Sequence, residues 1–247
     1  MSGSYHPSLA AEKASFDNPM SSPEKPPEVL MHLGDYAVTT AVKGDEQGIT
    51  QTHARAFETA YLNPAMGATA EALARFVYDT RPEIGFLDRK QTYWASMIAN
   101  KQADQSVSQI LYVARDQAAN KIVGVGLGQM PKRTFYSGYG VSCNPNDEIT
   151  ALYVDPDHQR RGIGSALLKA LMGHMSPIVV VKVTAGSAAA DFYKHRGFRE
   201  RPTPLGVAHH PSFYGGIRLP QIIMAHGSNP YFTPPRPARI ERLSQTT

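Results

Sequence analysis

Cysteine is almost missing from this chain. Cys143 is the one thiol in 247 residues, which excludes an intramolecular disulfide framework. Long apolar runs are missing as well: nothing approaches the length of a membrane span, and the amino terminus has no hydrophobic stretch of the secretory kind. Lys and Arg never occur more than two in a row. The 25 of them, set against 21 Asp and Glu, leave a net charge of +4, so the pI near 9.1 reads as mild basicity rather than a nucleic-acid surface. These absences predict a soluble, cytoplasmic protein with no nucleic-acid or membrane partner. Two phosphate loops are also excluded. No Gly-x-x-x-x-Gly-Lys-Ser/Thr string exists, and Gly-x-Gly-x-x-Gly fails at Leu167 after Gly162 and Gly164 and at Gln129 after Gly124 and Gly126. His209 and His210 are adjacent and His226 is isolated, so no ligand spacing supports a metal, and none is expected.

What is present centres on residues 147–175. Ile149 to Val154 is a short apolar run rich in β-branched and aromatic residues, the pattern of a buried strand. Asp155-Pro156-Asp157 breaks it. Gln159 to Met175 then opens with Arg160, Arg161, Gly162 and Gly164 and continues with Leu167, Leu168, Leu171, Met172 and Met175 at helical spacing. A glycine-containing turn feeding a helix presents unpaired N–H groups and the positive end of the helix dipole, which together bind phosphate. The stretch reads as a pyrophosphate cradle.

Around it, residues 1–33 are Ser-, Pro- and charge-rich and read as a flexible tail. Residues 34–226 carry the periodic segments. Strands are predicted at Tyr36–Val42, Ile110–Arg115, Lys121–Gln129 and Ile178–Val183. Helices are predicted from Asp45, as cap, to about Leu62, and over Thr69–Thr80, Asp88–Gln102 and Ser187–Arg196. Ile49, His53, Phe57 and Ala60 line one face of the first helix, and Trp94 reads as a core anchor. The alternating glycines 124, 126 and 128 fall on one strand face, marking a bulge or a close approach. Pro211–His226 reads as a closing hairpin about Gly215-Gly216, and residues 227–247 as a second tail.

Gln159-Arg160-Arg161-Gly162-Ile163-Gly164 fits the loop Gln/Arg-x-x-Gly-x-Gly/Ala. With the strand before it and the amphipathic helix after it, the stretch resembles the acyl-CoA loop of the GNAT superfamily. Farther on, Ala189, Phe192, Tyr193, Gly197 and Phe198 resemble the family run Asn-x-x-Ala-x-x-Phe-Tyr-x-x-x-Gly-Phe, with Gly186 where Asn is usual. One hydrogen bond to the pantetheine or to the backbone around it is therefore lost or made by another group, for which Ser187 and Thr184 are candidates. The resemblance spans about Tyr36 to His226. It implies an α+β, three-layer α/β/α domain whose mixed, mostly antiparallel twisted sheet splays apart at the acyl-CoA site.

It also implies an N-acetyltransferase that uses acetyl-CoA directly. The cradle would be Gln159, Arg160, Arg161, Gly162, Ile163, Gly164 and Ser165. Leu152, Tyr153 and Val154 would form the open strand edge along the pantetheine, with Ala189, Phe192 and Tyr193 opposite. The acceptor class implied is a primary amine, of a small molecule first and of a protein lysine or N-terminus second; a degenerate acyl-CoA sensor is the further alternative. The protein is expected as a monomer or homodimer. Glu148 stands where several family members carry a base; otherwise it is a solvated or ion-paired carboxylate, and Asp147 and Asp155 are weaker choices. Tyr193 would donate to the departing thiolate, a phenol of pKa about 10 against a thiol near 8.5, or else pack as an aromatic. The N–H of Leu152 or Tyr153 would polarise the carbonyl. Cys143 reads as a plain thiol rather than an acyl carrier. Tyr136, Tyr139 and Phe213 are expected on the acceptor wall.

Overall fold

A computed structural model describes residues 26–79, 85–99, 107–131, 147–201, 212–214 and 217–227. The sheet starts earlier than the expected boundary at residue 34. Val29–Leu33 (β1) pairs antiparallel with Tyr36–Thr40 (β2), joined by the two residues Gly34 and Asp35, with Gly34 at φ 56°. A Gly-Asp pair between apolar residues is a hairpin signal, outweighed in the sequence by the polar composition before it. Residues 1–25 and 228–247 lie outside the described residues.

Three helices follow: Glu46–Ala60 (α1), Ala70–Val77 (α2) and Phe86–Ala99 (α3). Asp45 precedes α1 but does not cap it with its side chain. Its carboxylate instead accepts from the Val42 N–H at 3.0 Å and from Arg115 Nη2 at 2.7 Å, because the facing strand brings a guanidinium there. Thr69 does cap α2, accepting from the Ala72 N–H at 3.1 Å.

Val107–Asp116 (β3) and Lys121–Pro131 (β4) form a long hairpin, followed by Asp147–Val154 (β5), Ile163–Met172 (α4), Val179–Thr184 (β6), Ala188–Lys194 (α5) and Arg199–Glu200 (β7). The expected closing hairpin divides. Ser212–Tyr214 (β8) and Ile217–Leu219 (β9) pair only with each other, whereas Gln221–His226 (β10) enters the main sheet between β6 and β7. Pro220 separates the two and lends its carbonyl to the Ala185 N–H at 2.9 Å. Gly215 and Gly216 lie outside the described residues.

The main sheet runs β1-β2-β3-β4-β5-β6-β10-β7, antiparallel throughout except for β5 beside β6. That parallel contact spans only Asp147–Ile149 against Val179–Val181, so among the described residues the remainder of β5 has no strand on its β6 side. A bulge stands at the same place. Leu127 faces Ala151 and Gly128 faces Ile149, which leaves Thr150 as the extra residue. Ile149 therefore joins the core under α4, and Ala151 joins the core under α1 and α3.

The glycine row on β4 has a clear cause. A Cβ added at Gly124 would lie 3.0 Å from Ile163 and Leu167 of α4, and one at Gly126 would lie 3.0 Å from Leu171. The close approach is that of the cradle helix itself.

On the opposite face, His53 is buried and stacks on Tyr153, with ring centroids 4.1 Å apart, among Phe57, Phe86 and Trp94. Burial, helped by the charge of Lys90, lowers its pKa to about 3. The unfolded chain binds a proton on this imidazole near pH 6.5 while the folded chain does not, so stability is full above 6.5 and falls as pH drops toward 3. Denaturant unfolding should show a loss of roughly 1 kcal/mol between pH 7.5 and 5.5 from this group. His53→Leu should remove that part of the slope; an unchanged slope would show that His53 does not carry it.

Candidate active site

The cradle is built by local backbone chemistry. Asp155 ends β5 and caps the single helical turn Pro156–His158, its carboxylate accepting from the Asp157 N–H at 3.1 Å. The side chain is fully buried between Arg55 Nε at 3.1 Å and Lys121 Nζ at 3.4 Å. Burial alone would raise its pKa. The Asp157 N–H, then Arg55, Lys121 and His158, outweigh it and hold the carboxyl below its ordinary value. Asp155 is thus a structural anchor, and it ties the end of β5 to α1.

After that turn the backbone becomes left-handed twice, at Arg160 (φ 60°) and at Gly162 (φ 82°). Gly162 opens α4 with no side-chain cap, so the first N–H groups of the helix face outward with no internal acceptor. Arg161 does not point to that opening; its Nη1 donates to the Tyr36 hydroxyl at 2.8 Å. Gln159 turns back as well, its Nε2 donating to the Val154 carbonyl at 3.2 Å. Ile163 is buried in the core and offers the site only its backbone. The β1–β2 hairpin therefore braces the loop, a role hidden in the sequence because Tyr36 and Arg161 are 125 positions apart.

A cavity of about 740 Å³ starts at this loop. It runs past Leu152, Tyr153 and Val154 on the open edge of β5, and past Gly164 and Ser165. It is also lined by Thr184 to Ala189, by Phe192 and Tyr193, and by Ala56, Thr59 and Ala60 of α1 with Tyr61 to Asn63 just after it. Ala60 is exposed on α1 and lines the cavity instead of joining the core face with Ile49, His53 and Phe57. Of the expected site residues, Leu152, Tyr153, Val154, Gln159, Arg160, Gly162, Gly164, Ser165, Ala189, Phe192 and Tyr193 line the cavity, whereas Asp147, Glu148, Asp155, Arg161 and Ile163 do not.

Glu148 lies on the α1–α3 side of β5, its carboxylate 3.1 Å from Lys182 Nζ of β6. Asp147 is buried on the α4 side, where it accepts from the Ser176 N–H. Tyr193 is buried, lines the cavity and lies edge-on to Phe192 and Phe198. Burial, and secondarily the neighbouring Tyr153, raise its pKa above the ordinary phenol value against a smaller opposing effect of Arg196.

Arg196 is among the lining residues that the sequence reading did not name. Arg196 stacks over the Phe192 ring, its guanidinium carbon 3.7 Å from the centroid, and donates to the Phe192 carbonyl at 3.0 Å and to the Ser165 hydroxyl. It places a cation beside the cradle opening. Its position just before the helix stop at Gly197 gave no such signal.

Among the described residues no group of three or more His, Cys, Asp or Glu side chains is placed to hold a metal, and no helix is long and apolar enough to cross a membrane. Tyr136, Tyr139, Cys143, His209 and His210 lie outside the described residues, as does the side chain of Phe213.

No curated protein matches the sequence. Solved structures share the fold. The PaiA N-acetyltransferase of Thermoplasma acidophilum, in complex with coenzyme A, aligns with a TM-score of 0.52 at 13% identity over 78% of this chain and 99% of its own. A Corynebacterium glutamicum protein named histone acetyltransferase HPA2 and related acetyltransferase gives 0.52 at 20% over 83% and 99%. The ribosomal-protein-S5-alanine acetyltransferase of Vibrio fischeri gives 0.51 at 13% over 83% and 100%. At these identities the likeness is one of fold. Sequence evidence comes from the acetyltransferase (GNAT) domain family, whose model matches residues 108–200. That interval spans β3 to β7, the uncapped start of α4 and the parting of β5 from β6, and over it the chain is similar to the acetyltransferase (GNAT) domain family.

Proposed function

We propose that this protein transfers an acetyl group from acetyl-CoA directly to the primary amine of a small molecule. The observation that carries this reading is a single cavity lined by the N-terminus of α4, the edge of β5 at Leu152 to Val154, and Tyr193. A pyrophosphate suits the helix start, an extended amide-containing arm suits a strand edge, and a phenol lines the same cavity. The volume is within the range of small-molecule sites.

In this mechanism the ammonium group of the acceptor loses one proton to Glu148 through water, the neutral amine attacks the thioester carbon, and the nitrogen releases its second proton to solvent as the amide forms. The carbonyl oxygen takes up negative charge facing an N–H of Leu152 or Tyr153. The C–S bond then breaks, and the thiolate receives the Tyr193 proton, which solvent replaces. Lys182 fixes the Glu148 carboxylate in place. Glu148→Gln should lower kcat/KM about 10- to 100-fold at neutral pH with coenzyme A affinity unchanged; an unaltered kcat/KM would remove Glu148 from the mechanism.

A protein acceptor is the second reading, favoured by the shared fold of the Vibrio fischeri enzyme named for a ribosomal protein. The test is thiol release from acetyl-CoA across polyamines, amino acids, amino sugars and peptides, beside calorimetric titration of coenzyme A. Turnover on a small amine supports the proposal, whereas turnover on peptides alone replaces its acceptor. Binding without any turnover points to a sensor, and no binding overturns the reading.

A further inference from the structure

Thr184 is the last residue of β6, lies on the cavity wall and is 8% exposed, and its hydroxyl finds no hydrogen-bond partner among the described residues. A buried hydroxyl without a partner is costly, and an isosteric methyl group would avoid the cost. Neighbouring groups cannot supply the bond. Ser187 is committed, its Oγ donating to the Thr184 carbonyl at 2.7 Å and accepting from the Ala190 N–H at 3.2 Å as the cap of α5. Gly186 has no side chain; its φ of 69° shapes the turn, and a Cβ there would meet nothing within 4 Å. The adjoining wall at Leu152, Val154, Ala185 and Ala189 is apolar in its side chains. The open edge of β5 offers an arm carrying two amides only backbone groups on one side, and the Thr184 hydroxyl stands as a polar side-chain group on the wall formed by the end of β6.

We propose that the Thr184 hydroxyl is a positioning group that hydrogen-bonds an amide of the pantetheine arm and so sets how far the thioester reaches toward Tyr193. This rests on the acetyl-CoA reading above. It assigns to the end of β6 the bond that an asparagine at position 186 would otherwise make from the turn.

The test compares Thr184→Val and Thr184→Ser with the wild-type protein by calorimetry. Coenzyme A and adenosine 3′,5′-bisphosphate, which has the phosphates but no arm, serve as ligands. Thr184→Val should weaken coenzyme A binding about five- to tenfold and leave the bisphosphate unchanged. Its melting temperature should stay level or rise, since an unpaired polar atom is removed. Thr184→Ser should restore most of the coenzyme A affinity. Equal coenzyme A affinity in wild type and Thr184→Val, or equal weakening of both ligands, overturns the role of Thr184 while the acetyl-CoA reading stands. Failure of the wild-type protein to bind coenzyme A overturns both.

Discussion

Gly164→Glu should abolish coenzyme A binding, with a Kd at least about 100-fold weaker, equivalent to roughly 2.8 kcal/mol, in a protein that melts no lower than wild type. Gly164 sits in the first turn of α4, where a Cβ would come 3.3 Å from the Phe192 ring and 3.7 Å from Val154. The side chain would fill the floor where the open edge of β5 meets the helix. Its carboxylate would also engage the free N–H groups and repel the diphosphate that they would otherwise hold. Those same contacts favour an acid at a helix start, so folding is preserved and lost binding cannot be attributed to unfolding. Calorimetry and a melting curve read both effects; a Kd within threefold of wild type would remove the anion site from α4.

Tyr193→Phe should lower kcat about 100-fold on the amine identified by the panel, with coenzyme A affinity within twofold of wild type. The ring packs against Phe192 and Phe198, and phenylalanine keeps those contacts. Only the proton is lost. Because burial raises the phenol's pKa, Tyr193 stays protonated through neutral and moderately alkaline pH. Ionisation of this group should therefore put no alkaline limb on the wild-type rate below pH 10, as an ordinary exposed phenol would near that pH. A kcat within threefold of wild type would leave Tyr193 as packing alone.

The strand, loop and helix start around the candidate cradle were legible in the sequence because they depend on local chemistry. A strand, a breaker, two glycines and an amphipathic helix occupy consecutive positions, and each has one conformational reading. The glycines at 124, 126 and 128 announced a close approach, although the identity of the approaching helix needed the tertiary fold. Long-range matters could not be read. That Arg161 is held by Tyr36, that Glu148 meets Lys182, and that Arg196 covers Phe192 all follow from which strands become neighbours. Periodicity places a side chain on a face without naming its partner. Val29–Leu33 escaped for the same reason. Its half-exposed residues carry little pattern, and the strand is defined by pairing with β2 rather than by burial.

The extra residue at Thr150 turns strand length into a phase. Strict alternation through β5 would put Glu148 on the same side as Leu152 and Val154, under α4. The bulge inverts the parity, so Glu148 shares its side with Ala151 and Tyr153 while Ile149 stays in the core. One inserted residue thus uncouples the inner half of the strand, which is committed to packing, from the outer half, which lines the cavity. Each half can vary in sequence without forcing the other to face the wrong way.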